Sequence, residues 1–412
     1  MNDIYVIGVG MTPFGRHLDL DMKALTRQAV EAALADAAMQ KEQLEAAFFG
    51  NTSQGHMEGQ HMIRGQIALR AMSIGRIPVV NIENACASGS SAFALACSHL
   101  KSGAGDVALA VGTEKMFSTD KARMFSVFDS AWDISRAQEI RDSLMKLGRE
   151  VSVPEGSTSP KPYSVFMDVY AAFARSHMRT FGTTQRQLAA VAAKNHTHSV
   201  HNPLSQYRVA YTIDEILAAP PITYPLTLPM CSPISDGAAA AILCTGKALK
   251  RLNLDASRAI RVLATVVQSG SDRDESDYRS HCTALAATKA YELAGVGAAD
   301  ISVAEVHDAT AMGEIIQSEN LGFCEFGMGG VIAERGETRI GGRIPINPSG
   351  GLESKGHPVG ATGLAQIHEL VTQLRGEAGK RQVEGARLAL AENGGGLEGI
   401  EEAVACITIL GR

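Results

Sequence analysis

The sequence predicts an α/β protein built from two similar halves. Strand patterns alternate with helix patterns along both parts of the 412-residue chain, and this alternation is typical of a parallel sheet covered by helices. A short motif that begins at Cys86 also matches one that begins at His357. We therefore expect two duplicated βαβαβ-type halves, neither of which covers both faces of its sheet alone.

The first half alternates apolar runs, which predict strands, with apolar residues at helical spacing, which predict helices. In chain order these are a strand over Ile4 to Val9, a helix over Met22 to Met39, strands over Ala46 to Phe49 and Ile77 to Ile82, a helix over Ala92 to Leu100, and a strand over Asp106 to Val111. A helix over Leu188 to Lys194 and a strand over Ala239 to Leu243 complete this half.

The second half repeats the pattern. Its predicted elements are a strand over Ile260 to Val267, a helix over Ala284 to Leu293, strands over Ile301 to Val306 and Ile344 to Asn347, a helix over Gly363 to Leu374, and a strand over Ala386 to Ala391. Cys86-Ala-Ser-Gly-Ser-Ser-Ala aligns with His357-Pro-Val-Gly-Ala-Thr-Gly, position for position. Because equivalent turns of two packed repeats point toward a common centre, we expect Cys86 and His357 to face one cavity.

The alternation of predicted strands and helices is interrupted over residues 116–186. We assign residues 1–115 and 187–246 to the N-terminal half, 116–186 to an inserted loop domain, and 247–412 to the C-terminal half. Insertions at the ends of sheet strands commonly supply substrate contacts. We expect this one to do the same.

Composition excludes several classes of function. The net charge is −6 and no basic cluster occurs, so nothing indicates a nucleic-acid interface. No apolar run reaches the roughly 18 residues that a membrane span requires, and no leader pattern is visible, so we expect a cytoplasmic protein. The seven cysteines are scattered and include no CxxC pair, which indicates reduced thiols.

Cys86 is the candidate nucleophile. A β-branched run ends just before it and small residues follow, which predicts a strand, a sharp turn and a helix. A thiol at the start of a helix is favoured as thiolate by the helix dipole. The alternative is a buried structural cysteine, which is how free cysteines usually behave.

A cysteine nucleophile needs a base and donors for an oxyanion. His357 suits the role of base because it lies on the turn equivalent to that of Cys86. His307 follows a predicted strand and could polarise a carbonyl. For either histidine the alternative is a structural imidazole.

Three further histidines, His196, His198 and His201, lie close together in the sequence. Zinc sites usually add cysteine or carboxylate ligands at set spacings, and no such partner set is visible. We expect no metal site.

Three motifs together resemble those of the thiolases, most closely the thiolase domain of the sterol carrier protein 2 type, over essentially the whole chain. They are Cys86-Ala-Ser, His307-Asp-Ala-Thr and Asn347-Pro-Ser-Gly-Gly-Leu-Glu-Ser-Lys-Gly-His357-Pro-Val-Gly-Ala-Thr-Gly. The resemblance implies the thiolase fold, a layered α/β/α/β/α arrangement with a loop domain inserted in the first half. It also implies acyl transfer through a Cys86 thioester, coenzyme A thioesters as substrates, and no tightly bound cofactor.

The resemblance also implies roles for individual residues. His357 would activate Cys86 and form an oxyanion site with His307. The backbone N–H groups of Cys86 and Gly395 would form a second one.

One departure from the family is clear. Thiolases use a second cysteine for proton transfer at the substrate α-carbon, in a Cys-x-Gly motif or, in the sterol-carrier type, directly after His-Asp. Here those places read Asn393-Gly394-Gly395 and Ala309. Candidates for a substitute are Cys231, Cys324, His56 and the tyrosines of the inserted segment.

Three functions therefore stay open. The first is a thiolase-like acyltransferase of lipid or acyl-CoA metabolism that acts on acyl-CoA or 3-oxoacyl-CoA thioesters through a Cys86 acyl-enzyme. The second is a retro-aldolase, or an acyltransferase to a non-CoA acceptor, working with a small partner that carries an OB-fold or zinc ribbon. The third is a non-catalytic subunit that binds acyl-CoA or lipid. The resemblance further implies a homodimer.

Overall fold

The computed structural model describes residues 3–412, so the first two residues of the predicted N-terminal half lie outside it. The strands are β1 Ile4–Met11, β2 Ala46–Gly50, β3 Val79–Ile82, β4 Val107–Glu114, β5 Pro221–Thr223, β6 Leu226–Thr227, β7 Gly237–Thr245, β8 Ile260–Ser269, β9 Val303–Glu305, β10 Leu388–Gly395 and β11 Val404–Gly411.

The α-helices alternate with these strands. They are α1 Met22–Asp36, α2 Gln54–Glu58, α3 Arg64–Arg70, α4 Ser88–Lys101, α5 Lys121–Ser126, α6 Ala137–Leu147, α7 Val165–Phe181, α8 Gln185–Ser199, α9 Ile213–Ala218, α10 Gly246–Arg251, α11 Cys282–Ala294, α12 Ala311–Asn320, α13 Gly329–Glu334, α14 Gly351–Lys355 and α15 Thr362–Arg375. Over residues 3–412, no helix combines the length and apolar character needed to cross a membrane.

Nine strands form one sheet in the order β3-β2-β4-β7-β1-β8-β11-β10-β9. Its two halves join only where Tyr5 and Val6 of β1 pair with Arg261 and Ile260 of β8. The expectation of wholly parallel sheets is wrong. Strands β3, β2 and β4 are parallel, as are β9 and β10, but β7 and β11 run antiparallel to both of their neighbours. A short loop joins β10 to β11, and such a loop permits only antiparallel pairing.

The predicted repeat is present in the structure, because β1, α1, β2, α4, β4 and β7 correspond in order to β8, α11, β9, α15, β10 and β11. The predicted strand over Ile344 to Asn347 is reduced to one bridge, between Ile346 and Ala304. The chain turns there because Asn347 adopts a left-handed φ of 54°, and its side chain accepts a hydrogen bond from the N–H of Val306 at 2.8 Å.

The elements stack in five layers. Helix α1 packs on the outer face of the first half-sheet and α11 on the outer face of the second, each over its own apolar core. Helices α4 and α15 lie between the half-sheets in a third core. The predicted α/β class and the α/β/α/β/α layering are therefore confirmed.

The two halves meet closely at their equivalent turns. A Cβ atom built on Gly112, in β4, would lie 2.1 Å from the carbonyl oxygen of Gly360, next to α15. One built on Gly89, in α4, would lie 2.8 Å from the same oxygen. Only glycine permits this approach, and it brings the turns that carry Cys86 and His357 together.

The whole of residues 115–236, between β4 and β7, lies outside the large sheet. Its helices α6 and α7 enclose a small apolar cluster around Trp132. Helix α8 packs on α12, α13 and α14, which belong to the second half of the chain. The domain boundary at residue 186 stays a prediction.

Candidate active site

Cys86 lies in the sharp turn between β3 and α4. The residue before it, Ala85, adopts a φ of 46°, which is strained for a residue with a side chain. The Ser88 hydroxyl holds the turn, because it donates to the Ala85 carbonyl at 2.7 Å and accepts from the Asn84 N–H at 2.9 Å. The predicted sequence of strand, turn and helix is confirmed, with α4 starting at Ser88 rather than at Ala92.

The Cys86 thiol is neutral in the resting protein. Burial, followed by the carboxylates of Glu114 and Glu83, raises its pKa to about 12. The N–H groups of Cys86 itself and of Gly396 oppose this shift only in part. The expectation that the helix start would favour a thiolate is therefore wrong, since the cost of charging a buried group exceeds the effect of these dipoles.

His357 lies at the equivalent turn, just before α15. Its Nδ1 is 2.7 Å from the hydroxyl oxygen of Thr362, and this hydroxyl donates to the Pro358 carbonyl at 3.1 Å. The hydroxyl must therefore accept from Nδ1–H, which leaves Nε2 with a free lone pair. Burial, with His307 and Lys355 nearby, lowers the pKa of His357 well below its usual value. The ring is neutral and is ready to accept a proton.

His307 follows β9, and its ring faces that of His357 with the centroids 5.2 Å apart. Burial lowers its pKa to about 4, so the ring is neutral and carries one N–H. Neither ring nitrogen has a hydrogen-bond partner within the protein. A buried imidazole without partners marks a place where a ligand atom is expected.

The structure brings these three side chains together. The sulfur of Cys86 and a ring nitrogen each of His307 and His357 all lie within 4.8 Å of one another, and the three residues line one cavity. Their catalytic roles stay predictions at this point. The same three atoms are also close enough together to bind a metal ion, to which Cys86 would bind as its thiolate.

The other histidine clusters have structural roles. His196 and His198 place ring nitrogens 3.1 Å and 2.9 Å from the carbonyl oxygens of Pro229 and Asn347. His281 and Cys282 lie near Glu401, but the Glu401 carboxylate already accepts from Arg273 and from backbone N–H groups. Since Glu401 has no free oxygen, this cluster is an ion-pair network and not a metal site.

The inserted segment supplies one wall of the cavity. Its lining residues are Phe128, Ala131, Ser164, Phe166, Met167 and Tyr170. They are mostly apolar and line the same cavity as Cys86. The expectation that this segment would reach the site agrees with this placement.

The predicted oxyanion donor Gly395 lies beside the cavity. A Cβ atom there would be 2.3 Å from the carbonyl oxygen of Asn84, so Gly395 packs on the backbone of the Cys86 turn. The neighbouring Gly396 lines the cavity and directs its N–H at the Cys86 sulfur. The donor role of Gly395 stays a prediction, and the structure adds Gly396 as the nearer N–H.

The cavity contains one carboxylate, that of Glu402, which sequence reasoning missed. Glu402 lies in the loop between β10 and β11 and belongs to none of the three sequence motifs. The proposed substitutes Cys231, Cys324 and His56 do not line the cavity. Of the tyrosines in the inserted segment, Tyr170 does.

A buried network holds the two histidine turns in place. Lys355, two residues before His357, pairs with Glu305 of β9 at 3.0 Å. Lys194 of α8 pairs with Glu314 of α12 at 2.5 Å and donates to the Ile346 carbonyl at 2.8 Å. Both lysines are buried, and each is satisfied by a buried carboxylate.

Comparison with known proteins agrees with this architecture. Residues 4–210 match the family model described as thiolase, N-terminal domain, and residues 264–412 match the thiolase C-terminal domain-like model. An acetyl-CoA acetyltransferase of Methanothermobacter thermautotrophicus is 39% identical over 97% of this chain and 98% of its own length. The sterol carrier protein 2 of Bos taurus is 37% identical over 95% of this chain and 70% of its own.

A solved structure, the Ltp2-ChsH2(DUF35) aldolase, superposes with a TM-score of 0.76 at 21% identity, over 99% of this chain and 97% of the other. At that identity the similarity supports the fold alone. The two family models span most of the chain, and the named relatives match it nearly end to end. The chain therefore belongs to the thiolase family and has the thiolase fold.

Proposed function

We propose that this protein is an acyltransferase that acts on acyl-CoA or 3-oxoacyl-CoA thioesters through a Cys86 acyl-enzyme. One observation carries the proposal. The thiol of Cys86 and the neutral imidazoles of His307 and His357 meet within 4.8 Å in one lined cavity. This is the set of nucleophile, base and donor that acyl transfer requires.

In the first step, Nε2 of His357 takes the proton of the Cys86 thiol as the sulfur attacks the substrate carbonyl. Because the thiol pKa is raised to about 12, the proton leaves during the attack rather than before it. The neutral His307 donates its N–H to the oxygen that becomes negative. Its unpartnered ring nitrogens support this role.

In the second step, the Cys86 thioester is attacked by an acceptor, such as the thiol of coenzyme A. The oxygen of the thioester then develops charge, and the N–H groups of Cys86 and Gly396 are the nearest backbone donors, with Gly395 adjacent. The Cys86 sulfur leaves and regains its proton from His357, and a base that lines the cavity takes the proton of the acceptor thiol. No tightly bound cofactor is needed for either step.

A second candidate is supported by the lining of the cavity, which contains Cys86 but no other thiol. Such a site could serve a retro-aldolase, or an acyltransferase to a non-CoA acceptor, with a small OB-fold or zinc-ribbon partner. The structural neighbour named an aldolase is, by its name, a complex with a DUF35 protein. The retained Cys86 favours the first proposal.

We also propose that the protein forms a homodimer and acts in the cytoplasm, in lipid or acyl-CoA metabolism. Strand β3 supports the dimer, since it forms one edge of the sheet and leaves Val80 42% exposed. Such an edge is suited to pairing with a second copy. Size-exclusion chromatography with light scattering, on the wild type and on Val80→Lys, tests this arrangement.

Intact-mass analysis tests the main proposal. The wild type and Cys86→Ala are mixed with acetoacetyl-CoA, with and without free coenzyme A. We expect an acetyl adduct on the wild type alone, and release of acetyl-CoA. An adduct without carbon–carbon cleavage would favour transfer to another acceptor. No adduct at all would overturn the proposal in favour of the aldolase or the non-catalytic acyl-CoA-binding subunit.

A further inference from the structure

Glu402 lies where two cavities meet. It lines the Cys86 cavity together with His307 and His357, and it also lines a neighbouring cavity together with Tyr278 and Phe326. Tyr170 is the other residue that both cavities share. Glu402 therefore borders both the cavity that holds the nucleophile and the cavity beside it.

The backbone of β10 makes room for this side chain. A Cβ atom on Gly394 would lie 2.6 Å from Cγ of Glu402, so any larger residue at position 394 would displace the carboxyl group. Gly394 belongs to the Asn393-Gly394-Gly395 run, which lacks the thiol discussed above. The carboxyl group thus comes from the loop between β10 and β11 to the region that this run borders.

The two carboxyl oxygens of Glu402 differ in their contacts. Oε1 accepts a hydrogen bond from Gln317 at 2.8 Å. Oε2 is buried and 3.3 Å from Nε2 of His281, with no hydrogen bond of good geometry. One oxygen is therefore held by Gln317, whereas the other has only the longer contact with His281.

The surroundings of Glu402 bring its pKa close to neutral pH. Burial, and then the neighbouring Glu401, raise the pKa of Glu402 to about 7, while its own N–H, Arg273 and Gln317 oppose the shift. His281 contributes no charge, because burial lowers its pKa to about 3. Glu392 and Tyr170 also face Glu402. A group with a pKa near the working pH can both take and return a proton.

We propose that Glu402 is the acid/base that transfers the proton at the α-carbon of the substrate. The inference rests on the proposed function. It supplies the one chemical group that the acyl-transfer site otherwise lacks, since cleavage or formation of the carbon–carbon bond needs a proton to move at that carbon.

The proton balance closes in the cleavage direction. His357 takes the Cys86 proton, the sulfur bonds to C3 of the 3-oxoacyl-CoA, and the C2–C3 bond breaks. The electron pair stays on C2 as an enolate, which takes the proton of Glu402 to give acetyl-CoA, while the shortened acyl group stays on Cys86. The Glu402 carboxylate then takes the thiol proton of coenzyme A, whose sulfur displaces Cys86. The leaving Cys86 sulfur recovers its proton from His357.

Other groups fit this role less well. The pKa of Tyr170 is raised well above 10 by burial, so its hydroxyl is a poor proton donor to carbon at neutral pH. Glu392 already accepts from the backbone N–H of His307 at 2.8 Å and does not line the cavity. Glu402 has both the position and the free oxygen.

The test separates proton transfer from acylation. Deuterium uptake into the methyl group of acetyl-CoA in D2O measures the first, and acetylation of Cys86 by acetyl-CoA measures the second. The variants are Glu402→Gln, Glu402→Asp and Tyr170→Phe. The matched control is Glu398→Gln, in the same loop but exposed.

We expect Glu402→Gln to slow deuterium uptake by about 10²- to 10⁴-fold, the usual contribution of a general base. Acetylation of Cys86 should slow much less than uptake, because the coenzyme A thiolate leaves with less help from an acid than carbon needs to exchange its proton. Glu402→Asp should restore part of the uptake. In the wild type, uptake should rise with pH through about 7 as the carboxylate forms, and this rise should be absent from Glu402→Gln.

Three results would overturn the assignment. Unchanged uptake in Glu402→Gln excludes the residue, an equal loss of uptake and acetylation indicates a structural role, and a loss confined to Tyr170→Phe transfers the role to that tyrosine. Failure of the wild type to acetylate Cys86 would instead overturn the proposed function. If Cys86 is not acetylated but deuterium uptake still depends on Glu402, the assignment of Glu402 as the enolate-forming base stands. If there is no uptake either, both the proposed function and this assignment fail.

Discussion

The rings of His307 and His357 face each other with their centroids 5.2 Å apart, and only His357 is held by a hydrogen bond. Thr362 fixes its tautomer, whereas both ring nitrogens of His307 lack a partner. The two imidazoles are thus prepared for different tasks. His357 is the base for Cys86, and His307 is the donor to the substrate oxygen.

Substitution of the two histidines should separate these tasks. We expect His357→Ala to slow acetylation of Cys86 by about 10²- to 10⁴-fold, since it removes the imidazole whose Nε2 lone pair is reserved for the thiol proton. His307→Ala should cost about 10²- to 10³-fold. Asparagine, which retains an N–H donor, should recover activity at position 307 but not at 357. Rapid-quench intact-mass kinetics measure this, and equal recovery at both positions would contradict the division of roles.

Thr362 should act on the tautomer of His357 rather than on the fold. Thr362→Val removes the acceptor of Nδ1–H, so Nε2 is no longer reserved as the basic nitrogen. We expect about a 5-fold slower acetylation, in line with the roughly 1 kcal/mol value of such a hydrogen bond. Thr372→Val is the matched control on the same helix, since its hydroxyl donates only to the His368 carbonyl. Similar losses in the two variants would assign Thr362 a purely structural role.

The reactivity of Cys86 should rise with pH only at much higher pH than that of a typical catalytic cysteine, which is already ionised near neutral pH. With its pKa raised from 9.0 to about 12, the fraction of thiolate at pH 8 is about 10³-fold below that of an ordinary cysteine. We expect alkylation by iodoacetamide to be slow at pH 7 and to increase tenfold per pH unit up to at least pH 10. A plateau below pH 8 in the wild type would show that the resting thiol is ionised.

The sequence predicts the repeat, and with it the convergence of Cys86 and His357, because small residues and a shared glycine mark both turns. The extended span before His357 was harder to interpret. The apolar run Ile344 to Asn347 has a composition typical of a strand, yet it forms a single bridge. The chain turns at Asn347, whose side chain accepts a hydrogen bond from the Val306 N–H and donates one to Glu314. A long-range contact of this kind overrides local propensity.

The protonation state of Cys86 and the position of Glu402 were out of reach of the sequence for a related reason. Helix position suggested a thiolate, but the free energy is decided by burial and by Glu114, which reaches the site from β4. Glu402 follows no motif and enters the cavity through the space left by Gly394. Both effects depend on which distant residues surround a group, and spacing along the chain does not encode that.

The contact between the halves can be tested at Gly112. A methyl group there meets the Gly360 carbonyl at 2.1 Å, so Gly112→Ala must push the His357 turn away from the Cys86 turn. We expect a loss of about 1–3 kcal/mol in the free energy of unfolding, together with a fall in the acetylation rate. Gly297→Ala is the control, because the nearest atom to its Cβ is 3.8 Å away. Unchanged acetylation in Gly112→Ala would show that the site tolerates this displacement.

The buried pair of Lys194 and Glu314 should contribute more to stability than any exposed pair. Both side chains are at most 1% exposed, and they lie 2.5 Å apart. Lys194→Met leaves the Glu314 charge buried without its partner, which costs about 3–5 kcal/mol. Urea unfolding measures this loss. Arg136→Met, which breaks an exposed pair with Glu139, should leave the unfolding midpoint unchanged, since water screens that pair.

The double variant Lys194→Met with Glu314→Gln sharpens the test. If the loss in Lys194→Met comes from an orphaned charge, removing that charge should restore part of the stability, because the two effects are coupled and do not add. Fully additive losses would mean instead that each residue is needed for its own packing. Because Lys194 also donates to the Ile346 carbonyl, removing it should displace the segment that leads from Ile346 to His357. We therefore expect slower acetylation of Cys86 in both variants under conditions where they remain folded.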